Sequence, residues 1–195
     1  LLSAAGSVIL PRRLMAAGLD AEQALAALGT LSGMVLPLML LPSALIGSIS
    51  TALLPIVTAA HATGNRARVR ALVGRAVMTV GLIGIPATAV LIPLAPSLSL
   101  LLFAQPLTLR YAALTGAAAV AMYYQMITSG LLNALGLQNR SVLTAVLAEF
   151  VQLALVLRWC SRPALGIYGY LLAMLLSGAG AAFFNLAVLH HATGF

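Results

Sequence analysis

The chain contains no lysine, only three acidic residues and one cysteine in 195 positions. A lone Cys160 excludes an intrachain disulfide and a cysteine-rich metal site. Charged residues make up 7% of the sequence, against roughly 25% in soluble domains, so polar surface is too scarce for a dissolved globule. Strand-like alternation is missing as well. The apolar stretches are continuous, which favours helices over a barrel. Catalytic signatures are also absent: there is no P-loop, no HExxH, no Gly-x-Ser-x-Gly and no pair of acids within an apolar stretch. Neither an enzyme nor a cofactor is expected. The vicinal pair His190–His191 has no further ligands beside it that would make a metal site.

What is present is apolar and basic. Hydrophobic residues reach 62% and the mean hydropathy is +1.09. Apolar stretches long enough for the ~30 Å hydrocarbon core recur along the chain. The expectation is therefore an all-α, polytopic transmembrane helical bundle, read as a single transmembrane domain over residues 1–195. It should hold about five full spans and one partial span. The partial one covers 1–10 and is stopped at Pro11-Arg12-Arg13; the others cover 32–58, 76–95, 108–135, 141–157 and 165–189. The span at 32–58 is expected to bend at Pro37, Pro42 or Pro55, and the one at 76–95 to close at Pro93 and Pro96. Asp20 and Gln23 have the spacing of a capping box ahead of the second stretch. The opening LLSAAGSVIL has neither methionine nor a charged n-region, and reads as a cut through a larger protein.

The net charge of +7 comes wholly from arginine. In a soluble domain it would suggest nucleic acid. Here the arginines punctuate apolar stretches, so topology is the simpler cause and membrane lipids are the expected partner, not nucleic acid. The densest run is HATGNRARVRALVGRAV at 61–77, which holds Arg66, Arg68, Arg70 and Arg75. Gly64 would end one helix and Asn65 cap the next. Val69, Leu72 and Val73 would form an apolar stripe, so that a short amphipathic lead-in lies at the headgroups before the chain enters the bilayer at Ala76. Loop 61–75 is expected on the cytoplasmic side of the cell membrane, with Asp20 and Glu22 on the other side.

Glu149 is the sharpest single residue, near the middle of the fifth stretch. A carboxylate at that depth is costly and should face protein or water. It reads either as a cation, proton or sugar contact, or as a structural partner of an arginine or glutamine on a neighbouring helix. Gln152 shares its face. Gln125, Ser129 and Asn133 repeat at i, i+4 and i+8 in the preceding span, and Ser43, Gly47, Ser50, Thr51 and Thr58 make a hydroxyl stripe in the second. These stripes would line one aqueous cavity or pack helices together. Ala173, Ser177, Ala181 and Asn185 form a small-residue seam assigned to packing. Arg12 and Arg13, like the arginines of the basic run, are candidates for phosphate or headgroup contacts, with interfacial anchoring as the alternative. Tyr123, Tyr124, Trp159, Tyr168 and Tyr170 fall near interface or cavity positions, and an interfacial aromatic belt accounts for most of them.

Five pieces in order carry a resemblance: ILPRRLMAAGL, the LP…S…LLP pattern, Gly-Asn followed by Val-Arg, NALGLQNRSV, and ALGIYGYLLAMLLSG. The chain resembles the oligosaccharide-flippase branch of the MOP (multidrug/oligosaccharidyl-lipid/polysaccharide) transporter superfamily, with likeness to stage V sporulation protein B and related polysaccharide-biosynthesis proteins. The turn GLQNR departs from the Gly-Lys turn of that pattern. The resemblance implies the second lobe of a MATE-like two-lobe transporter, with the N-terminal lobe as its missing partner. It implies alternating-access flipping of a lipid-linked sugar, and the alternative is a cation-coupled multidrug exporter of the same superfamily. A non-transporting membrane scaffold subunit is the reading from a different class.

Overall fold

The computed structural model describes residues 2–162 and 165–194, with side chains from Ile9 onward. Leu1 of the first expected span and Ala164 of the ALGIYGY motif lie outside the described residues. Among the described residues the chain is helical throughout, with no strand. The elements are α1 (Leu2–Ala16), α2 (Ala21–Thr30), a π-helical turn (Leu31–Val35), α3 (Leu36–Met39), α4 (Ser43–Ala62), α5 (Arg66–Phe103), α6 (Leu109–Ala134), α7 (Gln138–Trp159) and α8 (Ile167–Thr193).

Helix α6 forms the hub. It packs against α4, α5, α7 and α8, most extensively α8, while α1 lies on α2 and α7. Four helices, α4, α5, α7 and α8, are long and apolar enough to cross a membrane. Helix α6 falls short on apolarity although it has 26 residues. Its neighbours explain this. A helix sheathed in other helices meets little lipid, and so it can carry Thr115, Tyr123 and Thr128 without exposing them to hydrocarbon.

Small residues bring these helices close. A Cβ on Gly116 would stand 2.9 Å from side-chain carbons of Ile92 and Thr88 on α5. Ala173, Ser177, Ala181 and Asn185 are all buried on α8. The Asn185 amide donates to Ser129 Oγ at 3.1 Å and Thr128 Oγ1 at 3.3 Å on α6, so this seam packs helices. The α4 stripe serves the same end in part: Ser50 stands over Gly130, and the Thr58 hydroxyl donates to the Ala134 carbonyl at 3.2 Å.

Three boundaries differ from the expectation. Helix α1 runs through Pro11 to Ala16 and ends before Gly18, whose φ is +102°. The second apolar stretch starts earlier than 32, as a broken helix from Ala21 onward begun by the Asp20–Gln23 capping box; its interruption at Leu40–Pro42 falls at Pro42, one of the three prolines expected to bend it. Helix α5 does not close at Pro93 or Pro96; it continues to Phe103 and ends on Ala104 in the left-handed conformation. One proline removes one backbone donor, whereas a full break in hydrocarbon leaves several groups unpaired. Continuation is therefore the lesser cost unless neighbouring side chains serve the freed groups.

The basic run also differs. Gly64 has φ +70° and Asn65 caps α5 through its side chain, which accepts from Arg68 N at 3.0 Å. There is, however, no separate lead-in helix. Arg66–Arg75 are the first turns of a 38-residue helix, ~57 Å long at 1.5 Å per residue. Val69 and Val73 are buried in the bundle core with Leu72 packed on them, so the apolar stripe faces protein rather than lipid.

Candidate functional site

The second half of the broken helix begins where Pro42 leaves the backbone without a donor. The Ser43 amide donates to Leu40 O instead of Met39 O, and the Tyr123 hydroxyl from α6 donates to the Met39 carbonyl. Tyr123 is 1% exposed. It is thus a core hydrogen-bond donor that holds the break in place, not a member of an interfacial belt.

The first half of the broken helix, with α1, α6, α7 and α8, encloses an open cleft of about 400 Å³. Its polar groups are Ser32, Gln125, Glu149, Gln152, Tyr170 and Ser177, set among leucine and methionine side chains. Glu149 is exposed to this space. Gln152 lies one turn on, and its Oε1 accepts from Ser177 Oγ at 3.0 Å. Tyr170 from α8 lines the same space. Among the described residues no arginine lines the cleft. The arrangement can hold a cation or proton at Glu149 beside a solute contacted by amides, hydroxyls and apolar side chains.

The chain thus brings together Glu149, Gln152 and Gln125, but it divides the α6 stripe. Ser129 lines a neighbouring recess of about 380 Å³ that also reaches Gln125, and it accepts from Asn185. Asn133 is exposed at the end of α6 and lines neither space. A step of four residues turns a helix by roughly 40°, so the i+8 position has rotated about 80° from the first. Ser32 and Ser177 were not anticipated here, whereas Tyr170 was among the aromatics read as near interface or cavity positions. Ser177 carried a signal, its i−4 and i+4 small neighbours, but that signal spoke of packing.

The candidate phosphate contacts scatter. Arg12 is exposed at the end of α1, and Arg13 Nη1 donates to Ser161 Oγ beyond α7 at 3.5 Å. Arg110 lies with its guanidinium 5.0 Å from the Tyr168 ring centre. Arg68, Arg70 and Arg75 are exposed along α5, and Arg66 lines a separate recess at the end of the bundle.

The MatE family profile matches residues 12–159. The chain belongs to the MatE family. Its members are membrane transporters, not enzymes, and the broken helix, the cleft and four apolar helices fit a multi-pass membrane transporter of MATE-like architecture. No curated protein and no solved structure gives a significant match. The MatE match ends at Trp159, so α8, which supplies Tyr170 and Ser177 to the cleft, lies outside it. The match reaches the superfamily and not the flippase branch within it.

Proposed function

We propose that this MatE protein exports amphipathic cations by alternating access, in exchange for a proton or small cation at Glu149. One observation carries the reading: the cleft is lined by a carboxylate and, among the described residues, by no arginine. A single carboxylate holds either the coupling ion or the cationic solute, so the two exclude each other, and exclusion is what exchange requires. The broken helix supports the reading, since discontinuous helices line binding sites in many transporters. Ser32 comes from its first half.

The lipid-linked sugar reading is less well served by this wall. A sugar diphosphate would bring anionic oxygens toward Glu149, and like charges 4 Å apart repel by about 4 kcal/mol at an effective dielectric of 20. Arginines outnumber acids in the chain, but they lie outside the cleft. A scaffold subunit would have no reason to leave Glu149 facing open space. The cleft is one wall of a central cavity, closed on the other side by the partner lobe. In this arrangement α6 also crosses the membrane and residues 61–75 face the cytoplasm.

The test is efflux of tetraphenylphosphonium from energised vesicles carrying the intact gene product. Glu149→Gln is expected to lower efflux by roughly tenfold or more at unchanged expression. Undiminished efflux in the variant, or flipping of a lipid-linked sugar diphosphate with no cation efflux, would sink the proposal. A cysteine at Gln125 should be labelled from the aqueous phase in at least one state; protection in every state would count against a wet cavity.

A further inference from the structure

A second concentration of ionisable groups lies at one end of the bundle, away from the cleft. The α4–α5 turn, the α6–α7 turn and the last turn of α8 meet around a recess of about 620 Å³. Its ionisable side chains are basic: His61 comes from the last turn of α4, Arg66 opens α5 and His191 comes from the last turn of α8. Thr193 adds a hydroxyl and Val69, Leu135 and Leu137 an apolar floor. Among the described residues no carboxylate lines it. His61, Arg66 and His191 are all exposed rather than buried in helix contacts. The His190 ring stands edge-on to His191 with centres 6.4 Å apart, and Arg68 and Arg70 follow on the first turns of α5.

A guanidinium and two imidazoles brought from separate helices to one hollow turn N–H donors toward it, and that donor set suits an anion. We propose that this recess binds a phosphate group. The planar fork of Arg66 takes two of its oxygens, as guanidinium does with phosphate. The imidazoles of His61 and His191 donate to the remainder, and Arg68 and Arg70 raise the local positive potential. The phosphate comes from a lipid headgroup or from free phosphate, since basic pockets at helix ends near a membrane surface suit either source. The site is separate from the cleft and does not depend on what the cleft carries.

The experiment measures the melting temperature of the intact protein in two arms. In a neutral detergent, sodium phosphate is titrated against sodium chloride at equal ionic strength. In phosphatidylcholine nanodiscs, phosphatidic acid is included or omitted. A ligand that binds only the folded state raises the melting temperature. A rise in the first arm identifies free phosphate, and a rise confined to the second identifies the lipid. Arg66→Gln and the double variant His61→Gln/His191→Gln are each expected to weaken apparent affinity roughly tenfold. Arg158→Gln, exposed at the other end of α7, should leave it unchanged. No rise in either arm, or a rise that survives the triple variant, overturns the proposal. Should the triple variant fail to fold, undiminished affinity in Arg66→Gln alone overturns it.

Discussion

Replacing Tyr123 by phenylalanine isolates the bond that secures the broken helix. The substitution deletes one oxygen and keeps the ring, which is wedged against α5 so closely that a Cβ on Gly84 would lie 2.8 Å from Tyr123 Cδ2. Packing should therefore survive. What is lost is the donor to the Met39 carbonyl, whose usual helical donor, the Ser43 amide, is already turned to Leu40. Met39 is 0% exposed, so water does not readily replace the hydroxyl. An acceptor left unsatisfied in a buried site costs about 1–3 kcal/mol. Hydrogen bonds in membrane bundles come out nearer 0.6–1.7 kcal/mol, roughly, because the unfolded chain in lipid also finds partners.

Taken together these place the loss at about 1–2 kcal/mol. A domain of this size should then melt about 2–8 °C lower, read by circular dichroism of the detergent-solubilised protein. Tyr124→Phe is the matched control. Tyr124 is only partly buried and its hydroxyl lies over Gly81, so its loss should change melting by less than about 1 °C. Equal melting of Tyr123→Phe and the parent, or an equal fall in both variants, would refute the assignment of this bond to the break.

Gly116→Ala places a methyl 2.9 Å from Ile92 and Thr88 and should destabilise the α5–α6 contact by about 1–3 kcal/mol. Gly180→Ala, with open space around it, should not, and parallel melting curves compare the two. Asn65→Ala removes the cap that accepts from Arg68 N and should cost about 1 kcal/mol, with faster amide exchange confined to the first turns of α5. Cys160 is fully buried, and burial, which disfavours the thiolate, pushes its thiol up to about 12. At pH 8 the thiolate fraction is then about one in ten thousand, and it rises only as pH approaches that value. Maleimide labelling of Cys160 should be slow in the folded protein at pH 8 and fast after unfolding; rapid labelling of the native state would contradict the burial.

Composition and run length by themselves determined that the protein is a helical membrane bundle. Uninterrupted apolar stretches in a chain this poor in charge leave no other way to satisfy the backbone in lipid. Local chemistry was equally legible at Gly64-Asn65 and at Asp20–Gln23, because caps and turns depend on a few consecutive residues. The mid-span position of Glu149 marked it as costly wherever the other helices lay. Where the helices break was not legible. Pro42, Pro93 and Pro96 look alike in sequence, and the difference is that Tyr123, distant in the chain, supplies a donor at the first. The cleft is likewise a product of tertiary structure. Ser32, Gln125, Glu149, Tyr170 and Ser177 come from four separate stretches of the chain, and only their packing sets them around one space. The same holds for the basic end, where the arginine run reads alone as a topology marker. The fold brings His61 and His191 beside Arg66, and basic side chains from three helices make a site that none of them makes alone.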